Sequence, residues 1–150
     1  MTRWQPRIVP PLYFLGSILV MVALHRAVPA GRLSGPVRLI GSLPLLVGLA
    51  FNLWGAMLFR INETPLRPGS ESTVVVRTGA FRFSRNPMYL GFVLELLGVA
   101  LLLGSASPLV VPPLFMVLIQ ILFIRNEEKS MEERFGEQYL AYKRRMRRWI

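Results

Sequence analysis

Thr78-Gly79-Ala80-Phe81-Arg82-Phe83-Ser84-Arg85-Asn86-Pro87-Met88-Tyr89-Leu90-Gly91 closes a polar, turn-rich segment and opens an apolar one. A helix therefore begins here, at the edge of a membrane. Asn86 suits an N-cap, and Pro87 suits the first helical position because its missing N–H would be unbonded there anyway. Gly91 lets something approach the backbone one turn later. Helix N-termini favour negative charge, so the stretch reads as the rim of a cofactor pocket.

Outward from this point the chain is oily. Hydrophobic residues make up 53% of its 150 positions and charged ones only 17%, which suits an integral membrane protein better than a soluble domain. Apolar runs at 8–24, 37–59, 87–103 and 108–124 each approach the ~20 residues that cross a bilayer. They predict an all-α polytopic protein of one domain, 1–150, with four transmembrane helices. Four spans put the N-terminus, the 60–86 loop and the tail on one side, and fifteen of the eighteen basic residues lie there. Only Arg26, Arg32 and Arg38 fall on the other, so both termini are expected in the cytoplasm. The net charge of +10 then reads as this topological bias plus a basic tail for anionic lipid, and not as nucleic-acid binding. The chain has no cysteine, which removes disulfides, thiolate catalysis and sulfur-ligated metal. Arg3 and Arg7, the first apolar run and Val28-Pro29-Ala30 resemble a cleavable signal peptide, but His25 and Arg26 interrupt the approach to that site and retention is expected. Trp4 is a plausible interface anchor.

The second run carries Gly41, Gly48, Asn52 and Gly55 on one helical face, a small or polar surface that lets transmembrane helices pack closely. Asn52 lies eight residues from Arg60, and Glu95 eight from Pro87, so both sit about 12 Å from the same end. Glu95 shares its face with Gly91 and Gly98 and points at neighbouring helices. It is either a functional carboxyl or a buried lock bonded to Asn52. The long 60–86 loop holds Asn62, Thr64, Pro65, Pro68, Gly69 and a β-prone Thr73-Val74-Val75-Val76 run, part of which should pack down. Arg82 and Arg85 follow. They are either ordinary topological arginines or grips for an anionic group of a substrate at the pocket mouth.

In the tail, 127–150, Met131, Phe135, Tyr139, Tyr142, Met146 and Trp149 recur at helical spacing, and acidic residues precede basic ones in the order a helix dipole favours. A cytoplasmic amphipathic helix is expected, with Gly136 as a possible break. The adjacent Glu127 and Glu128 point about 100° apart on a helix, so they cannot both face one small ligand squarely. The tight hairpin at Gly104–Ser107 nevertheless brings their end of the fourth span beside Asn86-Pro87.

Arg85-Asn86-Pro87-Met88-Tyr89-Leu90-Gly91, then Glu127-Glu128, then Phe135-Gly136-Glu137-Gln138-Tyr139 and Arg148-Trp149 together resemble the isoprenylcysteine carboxyl methyltransferase and phospholipid methyltransferase superfamily. The resemblance covers roughly the C-terminal half. It implies S-adenosylmethionine as cofactor at the cytoplasmic face, a lipophilic acceptor entering from the bilayer, and no metal. It also implies cofactor contacts from Asn86, Pro87, Tyr89, Gly91, Glu127, Glu128, Tyr139 and Tyr142. A sulfonium cation suits carboxylates and aromatic faces. Arg85 would orient an acceptor carboxylate without a base, whereas an amine or thiol acceptor would make Glu128 or Glu95 the candidate base. The isoprenylcysteine enzymes typically carry histidine where this chain has Asn86, and the phospholipid enzymes asparagine, so the acceptor stays open. Rival readings are a small proton-coupled transporter built on Glu95 and a structural protein docked by its basic tail.

Overall fold

The protein is described from a computed structural model over residues 9–63, 65 and 74–150. Trp4, the two N-terminal arginines, Thr64, Pro68, Gly69 and Thr73 lie outside the described residues. Helix α1 is Pro10–Ala27, α2 Gly35–Ile40, α3 Ser42–Ile61 and α4 Pro87–Leu103. Then α5 runs Val111–Ile119, a π-helical turn covers Gln120–Ile124, α6 is Arg125–Phe135 and α7 Glu137–Arg145. The third expected span is reproduced at both ends. The second joins α2 and α3 into one apolar rod, Gly35–Ile61, and the fourth runs unbroken from Ser107 to Phe135. Those two and α1 are long and apolar enough to cross a membrane, while α4, at 17 residues, is shorter.

Side-chain placement agrees with a lipid surrounding. Leu19 and Leu39 are 71% and 72% exposed, and Leu43, Leu46, Leu53, Leu114 and Ile121 also point outward. Inward lie Met21, Leu96, Ala100, Val111, Phe115, Ile119, Phe123 and Ile124 as one cluster, with Phe14 stacked on Phe92 at 4.9 Å beside it. Water would not tolerate so continuous an apolar exterior. This is an integral membrane protein.

Antiparallel α3 and α4 form the closest pairing, and glycine is the reason. A Cβ on Gly98 would lie 2.6 Å from the Gly41 carbonyl oxygen, one on Gly48 2.5 Å from that of Gly91, and one on Gly55 2.6 Å from Met88 Cγ. The small face read in the second span is thus pressed against the glycines of α4. Asn52 Nδ2 donates to Glu95 Oε1 at 2.7 Å within this seam, so the two residues expected at equal depth do meet. At the opposite end His25 Nδ1 lies 2.8 Å from Ser105 Oγ and ties α1 to the α4–α5 hairpin.

Beyond the bilayer end of α3, a 3₁₀ turn at Gly79–Arg82 tucks against it: Phe81 meets Phe59 at 5.4 Å and Phe83 meets Phe51 at 6.2 Å. Val76 is buried, in accord with the loop packing down, although 74–76 forms no strand.

The tail departs from a single amphipathic helix. Gly136, at φ +50°, turns the chain between α6 and α7, so Glu132 of α6 pairs with Lys143 of α7 across the bend, while Glu137 and Arg144 pair along α7 itself. Tyr139 and Tyr142 are buried against the protein, and the chain leaves helix at Met146 in extended conformation. The last residues, expected as helix, instead lie as a strap over the 84–86 loop.

Candidate active site at the polar end

Asn86 occupies the N-cap position of α4 and its carbonyl accepts the Leu90 N–H at 3.0 Å, but its side chain does not cap. Asn86 Nδ2 donates to the Arg148 carbonyl at 3.1 Å. Ser84 Oγ donates to the same carbonyl at 3.0 Å, and the Arg85 N–H to the Arg147 carbonyl at 3.0 Å. The strap thus pins the 84–86 loop that leads into α4, and the Asn86 N–H is taken by Ser84 Oγ at 3.0 Å. Pro87 stands at the first helical position and is buried.

One turn on, Tyr89 Oη donates to Glu127 Oε1 at 2.8 Å, and its ring lies 6.4 Å from that of Phe123. The neighbouring Glu128 faces elsewhere, as adjacent helical positions must. Its Oε1 accepts from Arg148 Nε at 3.0 Å and its Oε2 from Arg148 Nη2 at 2.6 Å. Arg85 Nη2 is 3.3 Å from Glu128 Oε1. A carboxylate that is 4% exposed is compensated by two guanidiniums, one in the two-pronged geometry that makes such pairs strong. The Glu128 bonds hold the Arg148 proton more tightly than usual. Arg85 contributes only part of its fork: its Nε and Nη1 are buried without a hydrogen-bond partner among the described residues. Such groups are costly unless water or a ligand completes them.

Tyr142 Oη donates to the Phe81 carbonyl at 2.8 Å, and the Tyr139 and Tyr142 rings are 6.1 Å apart. Burial pushes the Tyr142 hydroxyl up to about 12 against the lowering effect of Arg85 and Arg77, so it remains a neutral donor at physiological pH. Arg82 borders this cluster only through Tyr142. It lines a groove of about 300 Å³ with Arg77, Ala141, Tyr142, Arg145 and Met146. Gly91 faces α3, where an added Cβ would meet Asn52 Cγ at 2.8 Å. Glu95 lies in the same seam, bonded to Asn52.

The structure therefore gathers Arg85, Asn86, Pro87, Tyr89, Glu127, Glu128, Tyr139 and Tyr142 near one end, and leaves Arg82 in the groove that Tyr142 borders and Gly91 and Glu95 within the α3–α4 seam. Three participants escaped the sequence reading. Arg148 was visible only as part of a motif, Ser84 carried no signal, and Gln120, whose Oε1 accepts the Trp149 Nε1–H at 2.9 Å, was a lone polar residue in an apolar run.

Together the fold and this site define a membrane-embedded helical protein with an acidic, arginine-compensated cluster at one polar end. The phospholipid methyltransferase family model matches residues 37–138, and the chain belongs to that family. It is 38% identical over 76 residues to Protein-S-isoprenylcysteine O-methyltransferase of Saccharomyces cerevisiae, a match covering 49% of this chain and 30% of the yeast protein. It is 36% identical over 63 residues to an uncharacterized protein of Haemophilus influenzae, covering 42% of this chain and all of that protein. The chain thus spans under a third of the yeast relative. No solved structure matches it.

Proposed function

We propose that this protein transfers a methyl group from S-adenosylmethionine to a lipophilic, membrane-resident acceptor at the cytoplasmic face, with both termini on that side. The observation carrying this reading is that the start of α4 and the start of α6 meet: Tyr89 grips Glu127 while Arg85 and Glu128 pair beside them. Family membership supports methyl transfer, and the basic bias of the loop and tail supports the orientation.

The residues fit the cofactor on two counts. Two carboxylates suit a group that is cationic at sulfur and at its amine, and the unpartnered Arg85 donors suit an anion beside it. S-adenosylmethionine, when bound, supplies an electrophilic methyl whose leaving group is already in place. Glu127 and Glu128 balance its positive charge, with Tyr89 fixing the Glu127 rotamer. Tyr139 and Tyr142 offer ring faces, while Asn86 and Pro87 shape the wall. Gly91 contributes by letting α3 close on α4, which sets the height of Tyr89. Arg85 orients an acceptor carboxylate through Nε and Nη1; for an amine acceptor Glu128 takes the proton. Arg82 in its groove receives an anionic part of the acceptor. Glu95, held by Asn52, fixes the wall along which the acceptor's apolar portion lies. Nothing in this arrangement favours proton-coupled transport.

Calorimetric titration of the purified protein with S-adenosylmethionine tests the first half, and mass spectrometry of lipid extracts with a labelled methyl donor the second. Absence of saturable binding would sink the reading. Tyr89→Phe removes a hydrogen bond to a charged group, about 1.5 kcal/mol, so cofactor affinity should fall roughly tenfold with the fold intact. Unchanged affinity would separate Tyr89 from the site. Arg85→Ala should lower turnover more than cofactor affinity; equal losses would show that its free donors do not serve the acceptor.

A further inference from the structure

Two of the residues given to the cofactor, Asn86 of the wall and the carboxylate of Glu128, are both engaged by one residue of the strap. Arg148 places its carbonyl on the Asn86 amide at 3.1 Å and its guanidinium on both Glu128 oxygens at 3.0 and 2.6 Å. Three further bonds fasten the same segment: Ser84 Oγ to the Arg148 carbonyl, the Arg85 N–H to the Arg147 carbonyl, and Trp149 Nε1 to Gln120 Oε1. Trp149 also packs on the apolar cluster of the bundle. Met146, at φ −111° and ψ 136°, has left helix, so the strap is attached to α7 by extended chain alone. No helical hydrogen bonds must break for it to lift.

We propose that the strap at 147–150 is a releasable latch in which Arg148 occupies the cation subsite of Glu128, so that a cationic cofactor and Arg148 compete for one carboxylate. This rests on the reading that Glu128 serves S-adenosylmethionine. The chemistry is exchange of one cation for another, with no change of charge in the buried site. Arg85 stays paired to Oε1 at 3.3 Å and holds Glu128 in place while Arg148 leaves both oxygens and the incoming cation takes its place. Arg148 suits such an exchange because its side chain is 31% exposed against 6% for Glu128, so water can receive it on release. Binding competence is then limited by the fraction of molecules with the strap lifted, which lowers apparent affinity in proportion.

Hydrogen exchange of the amide that the strap covers, the Arg85 N–H on the Arg147 carbonyl, read by mass spectrometry on the full chain in nanodiscs, tests this without cofactor and reports strap lifting. Arg148→Gln and, separately, Glu128→Gln should each speed exchange at Arg85 at least tenfold while the middles of α4 and α5 stay protected; exchange there as slow as in the parent would overturn the latch. Added S-adenosylmethionine should speed exchange at Arg85 in the parent protein, and slower exchange would show the strap to be a lid that closes on the ligand. In calorimetry Arg148→Gln should bind S-adenosylmethionine about three- to tenfold more tightly. Equal or weaker binding overturns the competition. Arg148→Lys, keeping the charge but losing the two-pronged grip, should fall between. A chain that binds no cofactor in any variant, yet exchanges the Arg85 amide fast in both glutamine variants, would fell the methyl-transfer reading and leave the latch standing as a cation-gated strap.

Discussion

Glu128→Ala should be the most damaging substitution at the polar end, lowering stability by about 3–5 kcal/mol and abolishing measurable cofactor binding. Removing the carboxylate leaves the guanidiniums of Arg85 and Arg148 facing one another, the first of them 8% exposed. Uncompensated buried charge is penalised more heavily than the intact pair is rewarded, so the loss exceeds what any single hydrogen bond contributes. Thermal unfolding in detergent should show a midpoint lowered by roughly 10 °C for a chain of this size. A midpoint within error of the parent would mean that the cluster is solvated and that Glu128 does not hold this end together. Glu128→Gln, which keeps the shape and one acceptor, should lose less stability but as much cofactor affinity.

Gly48→Leu should prevent assembly altogether. Its first added carbon would stand 2.5 Å from the Gly91 carbonyl and 2.8 Å from Glu95 Cγ, contacts with backbone and with a bonded carboxyl that have nowhere to go. Overpacking typically costs about 1–3 kcal/mol even where neighbours relax; here separation of α3 from α4 would also break the Asn52–Glu95 bond and shift Tyr89. Gly16→Leu is the matched control, because nothing lies within 4 Å of a Cβ at that position. Size-exclusion profiles and yields of the two variants decide the matter: a monodisperse Gly48→Leu protein would show that the seam is looser than described.

How much of this was legible in the sequence depends on what kind of signal each residue leaves. The glycine face of the second run and the equal depth of Asn52 and Glu95 follow from helical periodicity, and the structure has both; each apolar run is helical, although the helix that holds the fourth continues to Phe135. The meeting of Tyr89 with Glu127 follows from the short hairpin between the third and fourth runs. Asn86 was read as a cap by residue type, but a strap from 62 residues away competes for its amide and wins. Arg148 could not be told from Arg144, Arg145 or Arg147 by composition, since only tertiary placement turns one arginine of a basic run inward. The bend at Gly136 was foreseen as a possible break, yet its result, tyrosines turned against the protein and helix lost after Arg145, required knowing what α7 would pack on.

The π-helical turn at Gln120–Ile124 accommodates one more residue than an α-helical path would, in the midst of a 29-residue helix. It works as a phase shifter between two halves that answer to different neighbours. The half within the bundle is clocked to α4 by Phe115 and Ile119, and the half beyond it by Glu127 and Glu128. Shortening the turn by one residue would rotate everything downstream by about 100° and carry Glu128 toward the bearing that Glu127 now holds, so the assignment of each acid to its partner is written in the insertion and not in the acids themselves.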